Sequence, residues 1–192
     1  MTARSAALAA ALCAAWLAAF PAGPARADAP APGPVAASFA QARLAGEGEL
    51  RWYGLRVYTA QLWVPDPTVR FDALARGPFA LELRYATGLR GEAIAERSVQ
   101  EIERLGFGDP SRRVRWLGEM KRLFPDVARG DRIAGIHEPG RGARFYVNDR
   151  PVGRVDDPDF AAAFFAIWLD ERTVAPALRE SLLRRLGGGS PR

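Results

Sequence analysis

The stretch ELRWYGLRVYTAQLWVP, residues 49–65, sets two arginines among four aromatic side chains in a run that reads as strand. From Leu55 to Val64, alternation puts Arg56, Tyr58, Ala60, Leu62 and Val64 on one face. Leu55, Val57, Thr59, Gln61 and Trp63 fall on the other. Both rows are largely apolar, which predicts a strand covered on both sides. On a covered face the Tyr58 hydroxyl needs a partner. Arg51 lies seven residues earlier, across the Trp-Tyr-Gly bend, close enough to reach the same region. A guanidinium there wants a carboxylate or another planar oxygen acceptor. The residues leave two readings open: internal pairing, with an acid such as Glu82, and ligand binding. Internal pairing is the usual fate of a covered arginine.

Outward from this stretch, Pro65 and Pro67 end the strand, since neither can donate to a ladder. Before it, residues 36–45 alternate as strand and are expected to turn at Gly46-Glu47-Gly48. After it, residues 68–77 read as a short helical connector closed by Gly77. FALELRYA (79–86) is a strand with Phe79, Leu81, Leu83 and Tyr85 on one face. Residues 91–106 carry an apolar stripe at Ala93, Ile94, Val99, Ile102 and Leu105, near a period of 3.6, and Gly106 ends that helix. Asp109 and Pro110 start a second helix, with Val114, Leu117, Met120 and Phe124 expected to face the core. Two hairpins follow, turning at PGRG (139–142) and at Asn148-Asp149. Asp157-Pro158 caps a helix, DFAAAFFAIWLD, that is apolar nearly all round and so belongs between layers. A last amphipathic helix has Pro176 near its start. Strands joined by hairpins, with helices in blocks, give an α+β fold with a large antiparallel sheet layered with helices.

The chain's 192 residues suit one domain, and 48% hydrophobic with 26% charged residues is globular composition. Residues 1–27 stand apart. A short basic start, 16 uncharged residues from Ser5 to Phe20, helix-breaking Pro21, Gly23 and Pro24, and the small-x-small run Ala25-Arg26-Ala27 have the form of a cleaved signal peptide. The apolar run is shorter than the roughly 20 residues a spanning helix needs. The alternative is an uncleaved anchor. Cleavage after Ala27 implies a periplasmic protein with no stable membrane anchor, a flexible leader over 28–35, one domain over 36–187 and a tail at 188–192. The one cysteine, Cys13, leaves with the signal, so disulfides, thiolate metal sites and cysteine nucleophiles are excluded from the mature chain. The net charge of +5 drops to about +3. The arginines are dispersed at helical spacing rather than gathered in an arm, and no nucleic-acid partner is expected.

Most signals of chemistry are absent. The one histidine, His137, cannot make a metal cluster and is expected to be a partly exposed strand residue. No phosphate-binding glycine loop or nucleophile elbow occurs, so neither cofactor nor metal is expected. Asp156, Asp157 and Asp159 stand at a helix N-terminus, where capping accounts for them.

GEGELRWYGLRVYTAQLWVP, LELRY, ERLGFGD, LFPDVARGDRI, YVNDRPVG and DFAAAFFAIWLD, in this order and at these distances, resemble the bacterial chalcone isomerase-like family, relatives of plant chalcone isomerases and fatty-acid-binding proteins. The resemblance spans about residues 36–187. It implies an open-faced β-sandwich whose large antiparallel sheet and helices enclose a cleft for an apolar ligand. In the enzymes an arginine steadies the enolate of the transition state. That position falls on Arg51, and a strand threonine of the enzymes falls on Tyr58. Arg51 with Tyr58 looks like the carboxylate clamp of the fatty-acid-binding relatives, with Tyr85 as a third candidate. The segment that carries a further tyrosine in the enzymes reads TGLRGEAIAE here, and the late helix that supplies a hydroxyl reads AAAFF. The resemblance therefore implies a small amphipathic ligand such as a fatty acid, held and not transformed. Val57, Leu62, Trp63, Phe164 and Trp168 are candidates for its tail or the core around it. Two alternatives stay open: an isomerase of the chalcone isomerase type using Arg51, and a ligand-free structural or interaction protein of the cell envelope.

Overall fold

The computed structural model of the chain describes residues 30–66, 68 and 74–186. Among them six strands, β1 Arg43–Trp52, β2 Leu55–Val64, β3 Phe79–Tyr85, β4 Arg132–Glu138, β5 Gly142–Val147 and β6 Arg150–Val155, pair in chain order as one antiparallel sheet. Among the described residues five helices accompany it: α1 Gly33–Ser38, α2 Gly91–Arg104, α3 Pro110–Leu123, α4 Pro158–Leu169 and α5 Pro176–Leu183. The α+β class and the large antiparallel sheet layered with helices follow the expectation from the sequence. The signal-like stretch 1–27, residues 69–73 of the 68–77 connector and the tail lie outside the described residues.

Alternation assigns the layers. Tyr58, Ala60, Leu62 and Val64 of β2 and Phe79, Leu81, Leu83 and Tyr85 of β3 enter one core with Ile102, Met120, Phe164 and Leu182 from the four later helices. On the opposite face α1 lays Val35 against Trp63, Ala80 and Ile136. Residues 33–35, read from sequence as part of an extended leader, belong to that helix. With six residues, α1 covers only one end of the far face. The expectation that β2 is covered on both sides therefore holds at Trp63 and fails toward its start, where Leu55 is exposed.

β1 departs from the sequence reading as well. It begins at Arg43 rather than Ala36 and runs straight through Gly46 and Gly48 without a turn. A Cβ on Gly46 would lie 2.1 Å from the Ser181 carbonyl oxygen, and one on Gly48 would lie 2.7 Å from Leu178 Cδ1. These glycines let α5 settle onto the strand; close approach, not chain reversal, is their purpose.

The helix starts are as the caps predict. Asp109 accepts from the Arg112 backbone N–H at 2.9 Å, and Asp157 accepts from those of Asp159 and Phe160 at 2.9 and 3.1 Å. The inward face of α3 is Trp116, Met120 and Leu123, while Val114, expected inside, is exposed. The Trp116 indole decides this rotation, because it is the bulkiest side chain of the helix, is buried, and donates to Asp157 at 2.9 Å. α4 is buried between the sheet and the other helices, its Phe160, Phe164, Phe165 and Trp168 all inside. His137 is buried rather than partly exposed. Its ring stacks on Phe79 at 4.7 Å, its Nδ1 lies 3.0 Å from the Gly77 carbonyl, and burial lowers its pKa.

Candidate functional site

The β1–β2 hairpin closes through a two-residue turn, Tyr53-Gly54, between the paired Trp52 and Leu55. Both turn residues have positive φ, 47° and 80°, the backbone a tight turn matching the strand twist requires. Just before it, the ladder slips between Leu50 and Arg51. That irregularity lets two successive residues of β1 border the same space, which strict alternation would forbid.

The space is a cavity of about 660 Å³ between the sheet and the helices. Leu50, Val57, Leu83 and Ile133 floor it from the sheet. Ala93 and Ile94 of α2 and Phe164 and Ile167 of α4 form its walls, and Thr173, Val174 and Ala175 border it before α5. Its size and apolar lining suit a small-molecule site.

Polar groups gather at one corner. Tyr58, opposite Leu50 in the ladder, accepts a hydrogen bond from Trp168 Nε1 at 2.9 Å. The Tyr58 proton is left to donate elsewhere. Burial, aided by the Glu101 charge and opposed by the Trp168 bond, pushes its pKa up to about 12, so it is a neutral donor. Tyr85 is paired with Tyr58 across β2 and β3, their rings edge to face at 6.0 Å. Burial and the adjacent Tyr58 push its pKa up too, and its hydroxyl has no partner among the described residues. From α2, buried Glu101 accepts from Arg97 and from Arg104 Nε at 2.8 Å. Two guanidiniums on one carboxylate leave this corner net positive, and Arg97 also lines the cavity.

Arg51 borders the cavity at its outer end, its side chain 58% exposed. It donates to Glu49 at 2.8 and 3.1 Å and to the Gly54 carbonyl at 3.1 Å. Its internal acceptor is thus Glu49 and not Glu82, which is buried within reach of Arg132 instead. The structure gathers Arg51, Tyr58 and Tyr85 around one cavity. Of the expected tail residues, Val57, Phe164 and Trp168 line it; Leu62 lies in the core and Trp63 on the far face.

Sequence reasoning passed over Arg97, Ser98 and Glu101. The signal was present, because Ser98 and Glu101 lie four and seven residues after Ile94 and so on the apolar stripe of α2. Polar residues on a core-facing stripe mark a place where something other than hydrocarbon is met.

Two comparisons bear on this geometry. The described fold resembles that of a fatty-acid binding protein of Arabidopsis thaliana, with a TM-score of 0.59 and 17% identity over 74% of this chain and 87% of that one. No curated protein matches the sequence. Residues 32–184 match the sequence profile described as chalcone isomerase-like. Nearly the whole described chain is included, and the chain belongs to the chalcone isomerase-like family.

Proposed function

We propose that the cavity binds a fatty acid or a similar amphipathic carboxylate and does not transform it. The observation that carries this reading is an apolar cavity of about 660 Å³ whose lining includes two buried, uncharged tyrosines, Tyr58 and Tyr85. The tail lies among Val57, Leu83, Ile94 and Phe164. The carboxylate accepts from Tyr58 and Tyr85, and Arg51 swings from Glu49 to supply the charge, while Arg97 keeps the field positive. Exchanging one carboxylate for another at an exposed guanidinium costs little. Among the described lining residues the one carboxylate, Glu101, is engaged by two arginines, and the phenols keep their protons. Holding a ligand fits this lining better than abstracting a proton from one. The likeness to a fatty-acid binding protein supports the fold in which such a site occurs. The form of residues 1–27 supports action outside the cytoplasm, in the periplasm, which fractionation and N-terminal sequencing of the mature chain would test.

Delipidated protein titrated with fatty acids of graded chain length tests the reading. Saturable binding is expected, strengthening with chain length until the cavity is full. Arg51→Ala and Tyr58→Phe should each weaken it by about tenfold, the loss of one charge-assisted hydrogen bond. Equal binding by parent and both variants would sink the proposal, as would turnover of a chalcone above the spontaneous rate.

A further inference from the structure

The tip of the β1–β2 hairpin is apolar and bare. Trp52 is 63%, Tyr53 91% and Leu55 75% exposed, and Val174, across the cavity border, is 55% exposed. Trp52 and Val174 also line the cavity, so the patch and the cavity mouth are one surface. The Trp52 and Tyr53 rings brace each other edge to face at 5.3 Å, on a turn whose positive φ angles fix its shape. Large side chains held out rigidly in water have a cost that a monomer in solution does not recover.

A second feature adjoins the tip. Arg56 follows Leu55, pairs with Arg51 in the ladder, and borders a cleft of about 210 Å³ that it shares with Thr59, Arg84 and Arg129. Among the described residues, Arg84 and Arg129 make no ion pair within 4 Å, and both are exposed. Arg51 and Arg56 share the single carboxylate of Glu49, which leaves a net positive charge at the base of the tip. Tyr85 lines both the cleft and the cavity, so a group held in the cleft sits one side chain from the ligand site.

We infer that this surface docks reversibly on an anionic phospholipid bilayer, with Trp52, Tyr53 and Leu55 entering the headgroup region and the Arg56–Arg84–Arg129 cleft taking a lipid phosphate. Tryptophan and tyrosine favour that interface because one end of each ring is apolar and the other wet. Arginines beside them meet the negative surface potential and the phosphate oxygens. The inference rests on the proposed amphipathic ligand: docking places the cavity mouth against the bilayer, so an acyl chain passes from lipid to protein without crossing water. A second copy of the chain fits the surface less well. Three side chains at the tip of one hairpin are a small part of the roughly 1,200–2,000 Å² that a stable interface buries.

The test uses the full chain with vesicles of phosphatidylcholine, alone or mixed with phosphatidylglycerol. Trp52 is the one exposed tryptophan among the described residues and reports entry by a blue shift of its emission. The tip variant carries Tyr53→Asn and Leu55→Ser, neither a cavity-lining residue, and asparagine keeps the turn. The cleft variant carries Arg84→Ala and Arg129→Ala. Parent and variants share residues 1–29, so any affinity of that stretch for lipid cancels. Binding to the mixed vesicles is expected to fall at least about tenfold in the tip variant. The cleft variant should lose about fivefold per arginine and its preference for phosphatidylglycerol. Parent that ignores vesicles, a tip variant that binds them equally, or a tip-dependent dimer in vesicle-free solution would each overturn the inference. Fatty-acid titration without vesicles separates the two readings: the tip variant should bind as the parent does. If it does while docking fails, only the docking inference is lost; if the parent binds no fatty acid, the ligand reading itself is lost.

Discussion

Tyr58 has two jobs that a single substitution exposes together. Its oxygen satisfies the Trp168 indole, and its hydroxyl proton stays free to donate to a group in the cavity it lines. Tyr58→Phe leaves a buried indole N–H without an acceptor, which costs about 1–3 kcal/mol. Chemical denaturation of the ligand-free variant should show that loss, whereas Arg51→Ala, whose partners are exposed, should leave stability within about 0.5 kcal/mol of the parent. Glu82 tests burial in the opposite sense. Desolvation, opposed by the Arg132 and Arg84 charges, raises its pKa above 4.5. A carboxyl raised in the folded state adds stability that is complete below its unfolded pKa and is lost as pH rises through the folded one. Glu82→Gln removes that slope, so the variant should gain on the parent between acid and neutral pH when both are unfolded at each pH. The pairing of Arg51 was only half legible in the sequence. Its need for an acceptor follows from chemistry, but choosing Glu49 over Glu82 depends on which side of the strand each carboxylate occupies, and the slip after Leu50 hides that from a strict alternation.

At the scale of elements, the sequence shows best where one local force decides. β3, the caps at Asp109 and Asp157 and the Asn148-Asp149 turn depend on neighbours in sequence, and each stands where periodicity or capping puts it. The sequence reading of β1 fails because two of its glycines answer to a helix about 130 residues later. Packing of α5 on β1 uses their missing side chains, and nothing local distinguishes that use from a turn. Two substitutions measure the difference. Gly46→Ala forces a methyl to 2.1 Å from the Ser181 carbonyl and should push α5 off the strand, costing about 1–3 kcal/mol or more as an overpacking strain. Gly54→Ala meets nothing within 4 Å and has only its φ of 80° to contend with, so its cost should stay near 1 kcal/mol. Thermal unfolding of both variants checks the order; equal losses would mean that Gly46 serves the backbone and not the contact with α5.

For the whole molecule, an apolar cavity between sheet and helices is a place where packing is given up, and a ligand restores it. Ligand that binds only the folded state at a free concentration 100 times its Kd adds about 2.7 kcal/mol. For a chain of this size, each kcal/mol moves the Tm by roughly 2–4 °C, so saturating fatty acid should raise it by roughly 5–11 °C. A filled cavity should imitate that gain and abolish its cause. Ser98 lines the cavity from α2, is buried, and among the described residues its hydroxyl bonds only to the Ile94 carbonyl one turn back. Ser98→Leu orphans no partner and buries new apolar surface at about 0.8 kcal/mol per methylene. Its ligand-free Tm should therefore exceed the parent's, while its affinity for long-chain fatty acids and its ligand-induced rise in Tm should both fall. The two effects have opposite signs, and a folding defect cannot mimic them. A variant that is more stable and still binds as tightly would show that the ligand occupies some other part of the molecule.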